Sequence, residues 1–241
     1  MSRSIIFVVL LFLQTGLTAA PLQFQSGTRQ TMMIELYTSE GCSSCPSAEA
    51  YLNDFVHDAE LWSRYIPMAL HVDYWDYLGW KDPYAEAAHT QRQYRYRHLG
   101  HISTVYTPGL IVNGQEWQGW RYQSRPAWTS MEVGNLAVRV EDGKLTAQFE
   151  PASPFTEPLL LHMALLGMGM ETEILAGENR GRRSAHDFVV LALKTMSTGE
   201  YRWQSQIPGS SVVAKAYALV VWVSTHQDPA PLQATAAYLP A

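Results

Sequence analysis

Residues 32–52 read MMIELYTSEGCSSCPSAEAYL, and this stretch decides how the rest of the chain is read. Met32 to Tyr37 is apolar at all but Glu35 and predicts a strand. Thr38, Ser39, Glu40 and Gly41 are loop and turn residues. From Cys42 the pattern turns helical, with Ala48, Tyr51, Leu52, Phe55 and Val56 at three- and four-residue steps. Pro46 falls in the first turn, where a proline costs least. The first element is therefore a strand that runs through a short loop into a helix opening with C-x-x-C.

Working outward, Ile66 to Val72 reads as a second strand and Pro83 to His98 as a polar helix stopped near Gly100. Leu110 to Asn113 and Trp117 to Trp120 read as a hairpin around Asn113-Gly114. A short helix from about Ser124 to Met131 is expected to close this unit. Thereafter short apolar runs recur (Leu136 to Val140, Leu145 to Phe149, Pro158 to Gly167, Phe188 to Leu193, Val212 to Val223), separated by turn residues. The order strand, C-x-x-C helix, strand, helix, Thr107-Pro108 and hairpin is that of a thioredoxin-like fold. The expected fold class is thus an α/β thioredoxin-like domain over 29–132, followed by a smaller all-β sandwich-like domain over 133–241.

The 241 residues are 47% hydrophobic and 16% charged, with a formal net charge of −5. Such a chain can bury a core, and without a Lys/Arg cluster it offers no nucleic-acid surface. Arg3, the apolar run Ile5 to Leu13 and the small, mildly polar Gln14 to Ala20 follow the order of a secretory signal peptide over residues 1–20. That run is shorter than the roughly 20 residues that span a bilayer. No later segment reads as a membrane span. A periplasmic or secreted protein is expected, in a compartment where disulfides persist.

The chain has two cysteines, both in the one C-x-x-C. A structural staple gains more from a longer loop, so this spacing suits a redox couple better. Four-thiolate zinc is excluded by count. At the positive N-terminal end of a helix, Cys42 ionises more readily than a free thiol and is the expected attacking group. Cys45, one turn in, is the expected resolving group. An inert disulfide is the alternative.

The block from Glu35 to Pro46 resembles the thioredoxin superfamily. Taken with HVDYWDYLGWKDP (71–83), VYTP (105–108) and GENRG (177–181), the chain is similar to DUF1223, a family of exported bacterial proteins of unknown function. By resemblance to thioredoxin-like proteins, Pro108 matches the cis-proline that faces the C-x-x-C, with Thr107 offering its backbone to an extended substrate. The same resemblance makes Glu35 the nearest candidate for a buried carboxylate under Cys45, one residue off the expected register; otherwise it caps a strand end in solvent.

The segment after the second strand lies where ligand sites of open α/β sheets gather. His71, Asp73 and Trp75 are therefore candidate substrate-binding residues. His71, Asp73 and Asp76 could also exchange protons or hold a metal, but their spacing fits no standard metal motif and no metal is assigned. Arg92, Arg95, Arg97 and His98 read as a solvated helix face. The 177–183 loop reads as a charged tip leaning on the first domain, and His186 as a residue satisfying a core or turn hydrogen bond. The leading expectation is a thiol–disulfide oxidoreductase acting on a disulfide- or thiol-containing protein or small molecule, with no organic cofactor. A copper-binding module using two thiolates and His71, or a non-catalytic partner-binding protein, are the alternatives.

Overall fold

The computed structural model describes residues 20–198 and 200–240. The expected signal segment, residues 1–20, lies outside them but for Ala20. The strands are β1 (Leu22–Gln25), β2 (Met32–Thr38), β3 (Tyr65–His71), β4 (Gly109–Val112), β5 (Gln115–Glu116), β6 (Gly134–Glu141), β7 (Lys144–Pro151), β8 (Leu159–Met168), β9 (Met170–Glu173), β10 (Arg183–His186), β11 (Val189–Thr198), β12 (Arg202–Gln206), β13 (Ala216–Thr225) and β14 (Gln233–Tyr238). Two short α-helices accompany them, α1 (Pro46–Asn53) and α2 (Ala87–His98).

The expected α/β thioredoxin-like domain followed by a small sandwich-like domain is not what forms. Among the described residues strand makes up 42%, with only two short α-helices and large mixed sheets. One eight-stranded sheet runs β14-β13-β8-β11-β3-β2-β4-β5, so strands from both halves of the chain share it. The join is the parallel pair β11–β3, at Val189 opposite Ala69, where Ala69 N–H donates to the Phe188 carbonyl at 2.8 Å. A second sheet, β1-β6-β7-β12, takes its edge strand from the start of the described chain, and β9 pairs with β10 alone.

The physical reason is visible in β8 and β13. Leu159–Met168 is buried at every position, whereas a sandwich strand with one wet face alternates. Leu159, Leu161 and Met163 of β8, with Leu219, Val221 and Val223 of β13, pack against Leu136, Ala147, Phe149 and Trp203 of the four-stranded sheet. The opposite faces of the same two strands, Ala164, Leu166, Val220 and Trp222, join the core of the first half. Strands covered on both faces belong inside a large sheet.

Two smaller differences have local causes. The short helix expected over 124–131 is absent, because Pro126 disfavours helical geometry at Arg125. That stretch runs irregularly across the first half, where its Ser124 and Pro126 carbonyls accept from the Tyr51 and Tyr65 hydroxyls. The hairpin turns at Asn113 and Gly114, both at positive φ (45° and 84°) as a tight turn demands, but its second arm is β5 at Gln115–Glu116 and not Trp117–Trp120, because a two-residue turn pairs Val112 directly with Gln115 and residues Gly119–Tyr122 coil into a 3-10 turn.

β2 and β3 run parallel from Met32 opposite Tyr65 to Thr38 opposite His71. Side chains alternate faces along β2. Thr38 reaches Glu49 of α1, whereas Glu35 reaches Arg92 of α2. The two helices therefore cover opposite faces, and that division places the site.

Candidate functional site

Cys42 and Cys45 are joined as a disulfide just ahead of α1: the helix expected from Cys42 begins at Pro46, so Cys45 is its N-cap and not one turn in, and Cys42 lies in the preceding turn. The loop is tied locally: Cys42 N–H donates to Ser39 O (3.1 Å), Cys45 N–H to Cys42 O (3.2 Å) and Gly41 N–H to Ser39 Oγ (3.1 Å). Both cysteines are almost fully covered, at 1% and 0% exposure, while Ser43 and Ser44 face solvent.

Trp75 packs against the loop at Gly41, next to Cys42. A Cβ added at Gly41 would stand 3.2 Å from the Trp75 Cβ, so this glycine permits the close approach. The indole Nε1–H of Trp75 donates to Thr107 Oγ1 at 2.7 Å, next to the cis Thr107–Pro108 bond. The 177–181 turn closes the other side. Asn179 Nδ2 donates to the Glu40 carbonyl (2.8 Å) and to the Cys42 carbonyl (2.9 Å), and Ser43 N–H donates to Glu178 Oε2 at 3.3 Å.

The remaining candidates are separated. Asp73 accepts from Thr90 Oγ1 of α2 at 2.6 Å, and Asp76 accepts from the Asp82 N–H at 3.2 Å. Glu35 is neither under Cys45 nor at a wet strand end. It is buried on the α2 face, where it takes a two-point contact from Arg92 (Nε to Oε2 2.6 Å, Nη2 to Oε1 3.0 Å) and the hydroxyls of Tyr37 and Tyr96. Arg92, read as part of a solvated face, is the buried partner of that ion pair.

His71 points inward and is fully buried. Its Nδ1 meets Asp82 Oδ2 at 2.7 Å, and that carboxylate is itself oriented by the N–H groups of Glu40 and Tyr84. Beside it, His186 Nε2 meets Glu40 Oε1 at 2.9 Å, and Glu40 Oε2 accepts from Trp80 Nε1 at 2.8 Å. His186 Nδ1 lies 3.6 Å from Glu49 Oε2, whose other oxygen accepts from Thr38 Oγ1 at 2.5 Å. Burial disfavours the His71 cation, but the Asp82 charge and hydrogen bond, then Glu49 and Glu40, outweigh it and raise the pKa to about 9. Burial opposes ionisation of Asp82, yet His71 and two backbone N–H donors hold that carboxyl below its usual range. His89, whose Nδ1 meets the His71 carbonyl at 2.8 Å, is pushed down to about 4 by burial. One ligand atom each from Glu49, His71 and His186 lie within 4.8 Å of one another, so these residues could hold a metal ion.

The cluster of Glu40, Glu49, Asp82 and His186 around His71 was missed in the sequence, since its members stand up to 146 residues apart. The one local signal is Glu49, a carboxylate on the helix face that also carries Ala48 and Leu52.

No curated protein matches the chain. Among solved structures it is similar to protein AGR_C_4864 of Agrobacterium tumefaciens, at 21% identity and a TM-score of 0.60 over 86% of this chain and 94% of that one. It is also similar to HBP35 of Porphyromonas gingivalis, at 14% identity and a TM-score of 0.57 over 89% of this chain and 76% of that one. At these identities the likeness speaks to the fold alone. A family model described as a protein of unknown function, DUF1223, matches residues 33–224, and by that match the chain belongs to the DUF1223 family.

Proposed function

We propose that this protein is an exported thiol–disulfide oxidoreductase working through Cys42 and Cys45. The observation that carries the reading is that the two cysteines of the chain pair with each other at the start of a helix, with the intervening serines exposed. A loop this short stabilises a fold little and serves exchange well. Export rests on the residue 1–20 pattern. Kinship with the thioredoxin-like superfamily enters at the level of motif, through C-x-x-C opening a helix and the Thr107–Pro108 step, and not through the sheet.

In the reducing direction, the Cys42 thiolate attacks one sulfur of a substrate disulfide and expels the other as a thiolate. The Cys45 thiolate then attacks Cys42 Sγ, expels the second substrate thiolate and closes the Cys42–Cys45 bond. Two electrons pass to the substrate, and an external dithiol restores the reduced pair. The oxidising direction is the reverse. The N-terminal end of α1 favours the Cys42 thiolate, whereas the Glu178 carboxylate on Ser43 N–H works against it.

The test is equilibration of the mature protein in graded glutathione buffers with trapping of free thiols. A potential between about −120 and −270 mV supports exchange and sets its direction; a potential below about −300 mV marks a structural bond and ends the proposal.

A further inference from the structure

We propose that Glu49, His71 and His186 form a binding site for a divalent metal of the zinc class, built without sulfur ligands beneath the Cys42–Cys45 pair. Each imidazole has one nitrogen committed to a carboxylate: His71 Nδ1 to Asp82 and His186 Nε2 to Glu40. The other nitrogens, His71 Nε2 once the metal displaces its proton and His186 Nδ1, are the imidazole ligands, and Glu49 Oε2 is the third ligand atom. His71 Nε2 is fully buried and has no hydrogen-bond partner. An unpaired buried polar atom costs about 1–3 kcal/mol, so a group that satisfies it is expected.

The donor set is chemically specific. Two imidazoles and one carboxylate, with a fourth position open, suit Zn²⁺ and its borderline neighbours. Ca²⁺ and Mg²⁺ prefer all-oxygen shells, and Cu(I) prefers thiolates. Tetrahedral bonds of about 2.0–2.2 Å place ligand atoms about 3.3–3.6 Å apart, so the three atoms close by modest side-chain rotation. The orienting shell that metal-bound histidines need stands around them: Asp82 behind His71, Glu40 behind His186, and the Thr38 hydroxyl on Glu49.

Charge points the same way. Three buried carboxylates, Glu40, Glu49 and Asp82, face two imidazoles, and their ion pairs are with those histidines. A dication offsets that excess. Entry is available through a surface cavity of about 400 Å³ between α1 and β10, lined by Pro46, Glu49, Asn53, Arg183 and Ala185. Glu49 is thus the ligand nearest the outside. The site is independent of the redox reading, although one turn of α1 joins the two: Glu49 N–H donates to the Cys45 carbonyl at 3.1 Å.

The experiment uses the oxidised mature chain, stripped with chelator, in which neither sulfur is a thiolate. Zn²⁺ is titrated against a chromophoric chelator, and Co²⁺ is followed by its visible absorption. The expected result is one ion per chain, Co²⁺ bands without a thiolate charge-transfer band, and the same affinity in Cys42→Ser/Cys45→Ser. His71→Gln and His186→Gln should each weaken binding by more than about 100-fold, and Asp82→Asn, which removes no ligand, by about 10–100-fold. Two results overturn the proposal: no 1:1 uptake of Zn²⁺ at micromolar concentration, or uptake that needs the cysteines and ignores His186→Gln. If a histidine variant fails to fold, the cysteine variant and the Co²⁺ spectrum still decide. A glutathione-derived potential below about −300 mV sinks the redox proposal and leaves this one standing.

Discussion

Arg92→Met tests whether Glu35 serves the fold rather than the cysteines. The Arg92 guanidinium makes four contacts: both oxygens of Glu35, the Tyr96 hydroxyl at 3.0 Å and the Pro229 carbonyl at 3.1 Å. The two side chains are 10% and 1% exposed, so solvent screens the pair little. Removing the cation leaves a carboxylate between sheet and helix with two tyrosine hydroxyls and no countercharge. Breaking one side of a buried pair costs about 3–5 kcal/mol. In a chain of this size each kcal/mol moves Tm by about 2–4 °C, which gives a loss of about 6–20 °C. Scanning calorimetry of the oxidised protein at pH 7 measures it. Glu35→Met/Arg92→Met should lose less than the two single variants added together, by about 1–3 kcal/mol, because neither charge is stranded. The same variants should leave the pH dependence of Cys42 alkylation unchanged, since Glu35 faces α2. A Tm shift under about 3 °C in Arg92→Met, or a moved alkylation profile in Glu35→Gln, would refute this reasoning.

Three further outcomes are expected. Trp75→Ala should speed reduction of the disulfide by dithiothreitol by about tenfold, because access to the attacked sulfur limits exchange; an unchanged rate in stopped-flow trapping means the indole is not the cover. Burial, then the charges of Arg92 and Arg95, hold the His162 pKa well below 6.5, and its ring nitrogens meet Thr195 Oγ1 and Ser224 Oγ, each at 2.8 Å. A histidine kept neutral in the fold contributes its stability above the unfolded pKa and loses it as pH falls below about 6.5, by up to about 1.4 kcal/mol per pH unit. His162→Gln should therefore flatten the urea-derived stability profile between pH 6 and 4.5, and parallel profiles would exclude His162 as the cause. Asn179→Ala strips a donor from the Glu40 and Cys42 carbonyls and should cost about 1–3 kcal/mol in urea unfolding, with a faster-reduced disulfide; a silent variant would mean that the 177–181 turn does not hold the loop.

What was legible in the sequence was local. The strand from Met32, the loop at Thr38 and a helix behind the cysteines, expected from Cys42 and formed from Pro46, follow from periodicity and punctuation within twenty residues, and Asn113-Gly114 marks its own turn. What was not legible was pairing. Periodicity finds β8, β11 and β13 but does not say which sheet they join, and only the apolar run of Leu159–Met168, broken by His162 alone among polar side chains, hints at a central strand. The site divides the same way. Cys42 and Cys45 announce themselves by spacing, whereas Glu40, Glu49, Asp82 and His186 acquire meaning only when β3, α1 and β10 meet. A lone histidine in a sequence is most simply a hydrogen-bonding residue, and His186 is that and more. Glu35 shows the limit of register: a carboxylate next to the motif sits on the wrong side of the strand for Cys45.

The loop that carries Cys42 is closed from far downstream, by Asn179 at a separation of 137 residues and by His186 bonding Glu40 across 146. Order of emergence therefore matters. During synthesis the two thiols appear long before the groups that lock their loop, and closing so long a loop costs entropy before those bonds can form. In that interval Cys42 and Cys45 are open to each other and to the thiols of other chains. Shelter arrives only with the last third of the polypeptide, and a chain interrupted before Asn179 presents its two thiols unguarded.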